Sequence, residues 1–591
     1  MDRVDRPALR ADLMSRLLHR WTLAAAAAAS ACRPAAPPPD LVLLNGKIIT
    51  VDSTDRIVEA VAVRGDRLVA VGSTAEIEPL AGSGTRRIDL AGKTVTPGLI
   101  DAHAHFLWGA TNRITLLDVG YPTVKNVAEV QAKVAERATT IAKGNWIEGR
   151  GWDEGTLAER RLLTAADLDR VAPDHPVWLG HTTGHYGVAN SAALRLAKVG
   201  QATKDPPGGT IDRGPGGAPT GVLKEAAQEL VTSLIPAAPE SVVVRGLGEL
   251  ARGFNAEGMT ALKDPGIASQ AWDAYRKALA DSTLTVRVFA LWQGGQSMAT
   301  AERLIAERAA TSRPYESTGD DRLISGGIKL FIDGSGGART AWLYDDWNKN
   351  STQIDRGNKG YPATSPDTIR ALIKRYHDAG FHVSVHSIGD RAIDWTVDSY
   401  LEALTANPVK GRRHGIIHAN IPTDRAIDQI ARLQREYDAA YPEPSPAFTW
   451  WIGDTYAGNF GPTRAARLNP FRTFENKGIR WAGSSDFNVT PFPARYGIWA
   501  AVAREPLLGT YGKEAFGRGE AVDVKIALRA FTIDAARQMF MERKIGSIEV
   551  GKYADLAVWD RDPYSVPVAD LKEMRSLLTI FNGRVVHDSL K

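Results

Sequence analysis

The chain has 591 residues, 44% of them hydrophobic and 24% charged, with 72 Lys+Arg almost cancelled by 68 Asp+Glu. That length exceeds one ordinary domain, and so even a charge balance argues against a nucleic-acid partner. No apolar run reaches the roughly 18 residues of a membrane span, and Cys32 is the single cysteine, which excludes an internal disulfide.

From Met14, "MSRLLHRWTLAAAAAASACRPAAPPPD" sets a basic head before an Ala-rich stretch and small residues before Cys32, the layout of an export signal. "Ala-Ser-Ala-Cys" resembles a bacterial lipobox, with Ala29 where that pattern prefers Leu, and implies an exported, periplasmic or membrane-anchored lipoprotein held by a lipid on Cys32. Met14 heads the better signal, so residues 1–13 read as preceding the natural start. Residues 1–40 are assigned to signal and tether, the prolines between 34 and 39 making an extended spacer.

Residues 41–96 read as short strands broken by turns, with an Asn-Gly hairpin signal in "LLNGKIITVD". The tail, residues 543–591, repeats the style in "FNGRVV", so the two ends are expected to join in one small β-sandwich. Between them, residues 97–542 alternate apolar β-branched runs with helical segments such as 366–379 and 524–540, the pattern of parallel strands with helical crossovers.

Eight of these runs end in polar residues: "GLIDAHAH", "MTALKD", "TVRVFALW", "GIKLFID", "FHVSVHS", "HGIIHA", "YDAAYP" and "IRWAGSSD". Eight strands with helices between them make a (β/α)8 TIM barrel, whose chemistry gathers at the strands' C-terminal ends. The long gap between the first and second runs predicts an inserted subdomain at about 110–240.

Strand residues i and i+2 share a face, so His103 and His105 point together, as does Asp101. His386 and His418 close two further runs, and Asp486 closes the last. With 12 histidines in the chain, four at barrel strand ends with a carboxylate are a donor set suited to zinc or a similar divalent ion. Lys329 would face the barrel interior, where burial lowers its pKa; pairing with Asp333 or escape to solvent is the plainer reading of that residue. His382 and His414 read as hydrogen-bonded barrel filling, and His175, His377 and His587 as surface or turn residues.

Taken in order, "TVTPGLIDAHAH", "GIKLFIDGSGGARTA", "VHSIGDRAI", "IIHAN", "AGSSDFNV" and "GSIEVGKYADLAVWDRDP" resemble the amidohydrolase superfamily, in its YtcJ-like branch that includes N-substituted formamide deformylases. The resemblance covers about residues 41–590. It implies that His103, His105, His386, His418 and a carbamylated Lys329 bind one or two metal ions, and that Asp486 is ligand and general base. "TGHYGVANSAAL" is similar to a branch motif that usually begins Asp-Gly-His; it places His185 and Asn190 near substrate, although Thr183 stands at the Asp position. Trp152 is a candidate pocket wall and Arg339 a candidate substrate contact in a Gly-rich loop.

The expected reaction is hydrolysis of a non-peptide C–N bond in a small amide or N-substituted formamide. A mononuclear deaminase-type or other cyclic-amide hydrolase stays open, and counting metal per chain separates it. An exported binding lipoprotein without catalysis also stays open, and silence across a panel of amides with added zinc would favour it.

Overall fold

The computed structural model describes residues 37–309, 320–348 and 356–590; the expected export signal and Cys32 fall outside the described residues. Seven parallel strands form one curled sheet in chain order: Leu99–Asp101, Met259–Ile267, Arg287–Gln293, Leu323–Phe331, Val383–Ser387, Gly415–His418 and Tyr441–Glu443. Helices such as Glu240–Ala256, Pro366–Asp378 and Asp424–Tyr437 precede their strands and cover the outside. Asp424–Tyr437 shows why: Ala426, Ile427, Ile430 and Leu433 are its buried residues, three or four apart, so one stripe faces the sheet.

The eighth run is not a regular strand, yet it closes the sheet. Ala482 and Ser484 donate backbone N–H groups to Pro442 and Pro444 (3.1 Å each), while Ala102 donates to Gly483 (3.1 Å) and Asp486 to His103 (2.8 Å). Residues 482–486 thus bridge the seventh strand to the first. Asp101 fastens the same seam, its carboxylate accepting from the Ser485 N–H at 3.0 Å and the Ser485 hydroxyl at 2.5 Å.

The long gap holds a mixed six-stranded sheet running from Leu117–Asp118 to Pro219–Glu225, with a core of its own that includes Val130, Ile147, Trp152 and Leu179. At the other end of the molecule, Thr94–Pro97 pairs with Leu556–Trp559, so strands from both termini share one sheet. The "FNGRVV" hairpin forms, Asn582 and Gly583 both taking positive φ (52° and 77°) between Ser576–Phe581 and Arg584–Asp588. The matching Asn-Gly near the N-terminus does not make a hairpin. Leu41–Leu44 pairs in one sheet and Lys47–Ile49 in another, and Asn45 (φ 57°) turns the chain between them. The single helix expected over 524–540 is two, Val524–Ala530 and Ile533–Gln538, separated at Phe531–Thr532.

Candidate active site

Six of the expected residues meet at the C-terminal mouth of the barrel. The first strand ends at Asp101, so His103 and His105 sit just beyond it and their rings lie 5.2 Å apart. Their Nε2 atoms approach Asp486 Oδ1 to 3.2 and 3.4 Å. His418 Nε2 is 3.1 Å from His386 Nδ1 and 4.0 Å from Asp486 Oδ2. His418 and Asp486 hold positive φ (70° and 53°), a conformation that costs roughly 1–3 kcal/mol for a non-glycine residue and persists where the surroundings impose it. That turn aims both side chains back across the barrel axis.

The His418–His386 contact is a hydrogen bond, whereas the three contacts to Asp486 are close but poorly aligned for one. His103 is fully buried and neither ring nitrogen has a hydrogen-bond partner; His418 Nδ1, Asp486 Oδ1 and Lys329 Nζ are likewise unpartnered. Buried polar atoms almost always find partners, and an unmade buried bond costs about 1–3 kcal/mol. Several orphans facing one point fit a bound cation: the donor atoms of His103, His105 and Asp486 lie within 4.8 Å of one another, and imidazole with carboxylate suits a divalent metal.

Among the described residues, no acid hydrogen-bonds the Lys329 amine. Asp333, its expected partner, instead accepts backbone N–H groups from Trp342, Ile388 and Gly389 at 2.8–3.1 Å. Burial pushes the Lys329 amine down to about 7, partly opposed by Asp486 and Glu443. Burial likewise pushes the Asp486 carboxyl up to about 7 against the pull of Lys329. Beneath them the barrel floor carries a charge pair that sequence reading missed, Lys263 Nζ to Glu443 Oε1 at 2.6 Å, with both side chains fully buried. Its signal was present: Lys263 is the penultimate residue of "MTALKD", and Glu443 lies within "YDAAYPEP".

The site opens into a cavity of about 840 Å³ lined by His105, His185, His386, His418 and Asp486 together with residues of the insert. His185 reaches it from the insert, its ring 5.1 Å from that of His386 and its Nδ1 2.9 Å from Glu225 Oε2. Burial acts against its charged form, but Glu225, with Asp486 and Asp333, outweighs this and raises its pKa. Glu225 was not singled out in the sequence; its N–H pairs with the His185 carbonyl at 2.8 Å, which only strand register reveals.

Three expected substrate contacts lie elsewhere. Trp152 is fully buried in the insert core and donates Nε1–H to the Leu179 carbonyl at 2.9 Å, so it is packing and not pocket wall. Asn190 caps the helix Ser191–Leu196: it accepts from the N–H groups of Ala193 and Val177 and donates to the carbonyls of Ala172 and His175, leaving the amide nothing for substrate. Arg339 is not among the cavity residues; its Nη1 lies 3.5 Å from Asn459 Oδ1.

His382 and His414 are hydrogen-bonded filling as expected, to Ser384 at 3.0 Å and to His377 at 2.9 Å. His377 and His175 are buried, not surface residues, because each ring reaches an internal partner, His175 pairing with the Asn145 carbonyl at 3.0 Å.

The Amidohydrolase family model matches residues 86–587. Among curated proteins the chain is 31% identical to the Arabidopsis thaliana protein LONG AFTER FAR-RED 3, covering 89% of each. It is 30% identical to the putative amidohydrolase YtcJ of Bacillus subtilis, over 92% of this chain and 98% of the relative. It is also 30% identical to an N-substituted formamide deformylase of Arthrobacter pascens, over 92% and 97%. Among solved structures, an uncharacterized metal-dependent hydrolase from Pyrococcus horikoshii superposes with a TM-score of 0.68 at 23% identity, over 90% of this chain and 99% of that one.

Proposed function

The chain belongs to the amidohydrolase family, and on that premise we propose that it is a metal-dependent hydrolase of small amides, with N-substituted formamides as the leading class. The observation that carries this reading is the buried, unpartnered His103 ring facing His105 and Asp486 at the floor of an open cavity. The formamide class is supported by the 30% identity to a deformylase across nearly the whole of both chains.

His103, His105 and Asp486 would hold one divalent ion, zinc by donor type, and His386 with His418 a second, bridged by carbamylated Lys329. Lys329 suits that modification because burial favours its neutral amine, the form that adds carbon dioxide. A bound divalent ion supplies Lewis acidity, lowering the pKa of water toward about 7 and polarising a carbonyl oxygen. Asp486 takes a proton from the attacking water and returns it to the amide nitrogen. The C–O bond forms as the C–N bond breaks, so amide and water give a carboxylic acid, formate from a formamide, and an amine. His185, steadied by Glu225, donates to the carbonyl oxygen as negative charge builds there.

The test is turnover of N-formyl amines by the purified, zinc-supplemented chain, with Asp486→Asn as control. Hydrolysis by the wild type alone is expected. Silence across the panel, or equal activity in the variant, would sink the reading.

We also propose export and lipid anchoring at Cys32, supported by the Met14–Cys32 layout. Cys32→Ala should move the protein from the membrane to the soluble fraction, and an unchanged distribution contradicts the anchor.

A further inference from the structure

One cation at the cavity wall has no anion to meet. Arg150 lies on the insert strand Ile147–Trp152 and lines the same cavity as His105 and Asp486. An arginine keeps its charge at any ordinary pH, and Arg150 is half-buried, where a charge partly withdrawn from water without a counter-ion carries a desolvation cost. Yet among the described residues no carboxylate forms an ion pair with its guanidinium, whose one side-chain hydrogen bond goes to a backbone carbonyl, and its Nε has no acceptor. Glu148, two residues earlier and also at the cavity, does not pair with it.

The guanidinium is nonetheless held in place. Nη2 donates to the Thr182 carbonyl at 2.8 Å, and the group lies over the Trp108 ring, 4.3 Å from its centroid. One glycine, Gly184, makes room for it. Gly180, its register partner on the neighbouring strand, would merely touch Arg150 Nη1 with an added Cβ at 3.8 Å. A Cβ on Gly184, which holds φ +77°, would come within 3.2 Å of Trp108 and 3.3–3.4 Å of both terminal nitrogens. A fork fixed by a carbonyl and an aromatic face, with the Gly184 backbone leaving it space, is a prepared receptor for a planar anion.

That anion is neither Asp486 nor the scissile carbonyl. Arg150 feels the Asp486 charge but forms no ion pair with it, so it addresses a group beside the reacting bond and not the bond itself.

Building on the amide-hydrolysis reading, we infer that Arg150 is a specificity residue that binds a carboxylate carried by the substrate close to its scissile amide. In a formamide the acyl half is a single carbon, so the carboxylate must sit on the amine half. The preferred substrates are then N-formyl or short N-acyl amino acids, and the amine product is an amino acid. The upstream reaction that supplies such a substrate must be one that acylates an amino acid or degrades a larger amide to an N-acyl amino acid.

The experiment compares twin substrates that differ only in the carboxylate, N-formylphenylalanine and N-formyl-2-phenylethylamine, on the zinc-supplemented full chain. The wild type should favour the carboxylate twin by at least about tenfold in kcat/KM. Arg150→Gln should collapse that ratio toward one, chiefly by raising KM for the carboxylate twin roughly 30-fold or more. Arg150→Lys, a point charge without the fork, should fall between, and turnover of the neutral twin reports that each variant is folded.

Equal use of both twins by the wild type overturns the inference and leaves amide hydrolysis standing. So does an Arg150→Gln loss that falls on kcat for both alike. If neither twin is hydrolysed, the amide reading fails, and calorimetric binding of N-formylphenylalanine still decides the subsite: binding weakened by Arg150→Gln supports it, and no binding to the wild type refutes it.

Discussion

Two buried histidine–acid clusters look alike by distance and differ in everything else. At the barrel mouth, His103, His105 and Asp486 bring donor atoms within 4.8 Å; in the insert, Asp153, Glu154 and His181 do the same. The insert cluster is satisfied by its own protein at every donor but one, His181 Nε2. Asp153 accepts from Gly155 N–H and the Thr455 hydroxyl, Glu154 from the Tyr186 hydroxyl, and His181 Nδ1 pairs with Thr183 at 3.0 Å. Its remaining nitrogen faces both acids, at 3.3 and 3.7 Å, which is a charge contact and not an aligned hydrogen bond. None of the three lines the cavity. The barrel cluster opens to it, keeps its orphaned atoms, and has an unpaired lysine beside it. Convergence of ligand types is therefore not enough, and neither is a single free donor such as His181 Nε2; an open route from the cavity to several free donors separates a metal centre from a structural ion pair.

The sharpest way to break that comparison is Asp486→Asn. It should lower kcat by at least about 10³-fold with the thermal transition largely retained, and near-normal turnover would contradict a base at this position. Lys329→Ala comes next. Bound metal per chain should fall, and unchanged occupancy would exclude a bridging lysine.

His181→Asn should do the opposite of both. Metal content stays as in the wild type while stability drops by roughly 1–3 kcal/mol, the cost of leaving buried acids unpaired; loss of metal in this variant would mean that the insert cluster is a metal site after all. The same histidine gives a pH signature. Burial acts against its charged form, but Asp153 and Glu154 raise its pKa overall. Its stabilisation should be fully present below the unfolded value of about 6.5 and fade as pH rises through the higher folded one. Denaturant titrations of wild type and His181→Asn across that window should show the slope only in the wild type. The smallest effect belongs to Asn190→Ala. It should cost about 1–2 kcal/mol through the lost helix cap and leave KM unchanged, whereas a raised KM would return Asn190 to the substrate.

The barrel was legible because its signals are local. Apolar runs ending near His103, His386, His418 and Asp486 announce the barrel and its candidate ligands, although His103 and His105 lie just past the strand end at Asp101, where strand parity no longer governs them. The insert was legible only as a gap. Its side chains are placed by register between distant segments, which is why Trp152 attracted attention while Arg150, two residues earlier, carries the charge that faces the cavity. Asn190 misled for a related reason: a polar residue inside a motif looks catalytic until the backbone groups that it caps are seen. The two Asn-Gly pairs make the point for turns. The same dipeptide closes a hairpin at Asn582 and switches sheets at Asn45, because the neighbouring strands and not the turn decide which.

The central claim, that the barrel-mouth donors hold divalent metal and the insert donors do not, is tested most directly by elemental analysis of the purified, zinc-supplemented chain beside its His103→Ala and His181→Asn variants. The account predicts stoichiometric zinc in the wild type, a loss in His103→Ala, and no change in His181→Asn. A chain without stoichiometric metal, or one that loses metal only when His181 is replaced, would contradict it.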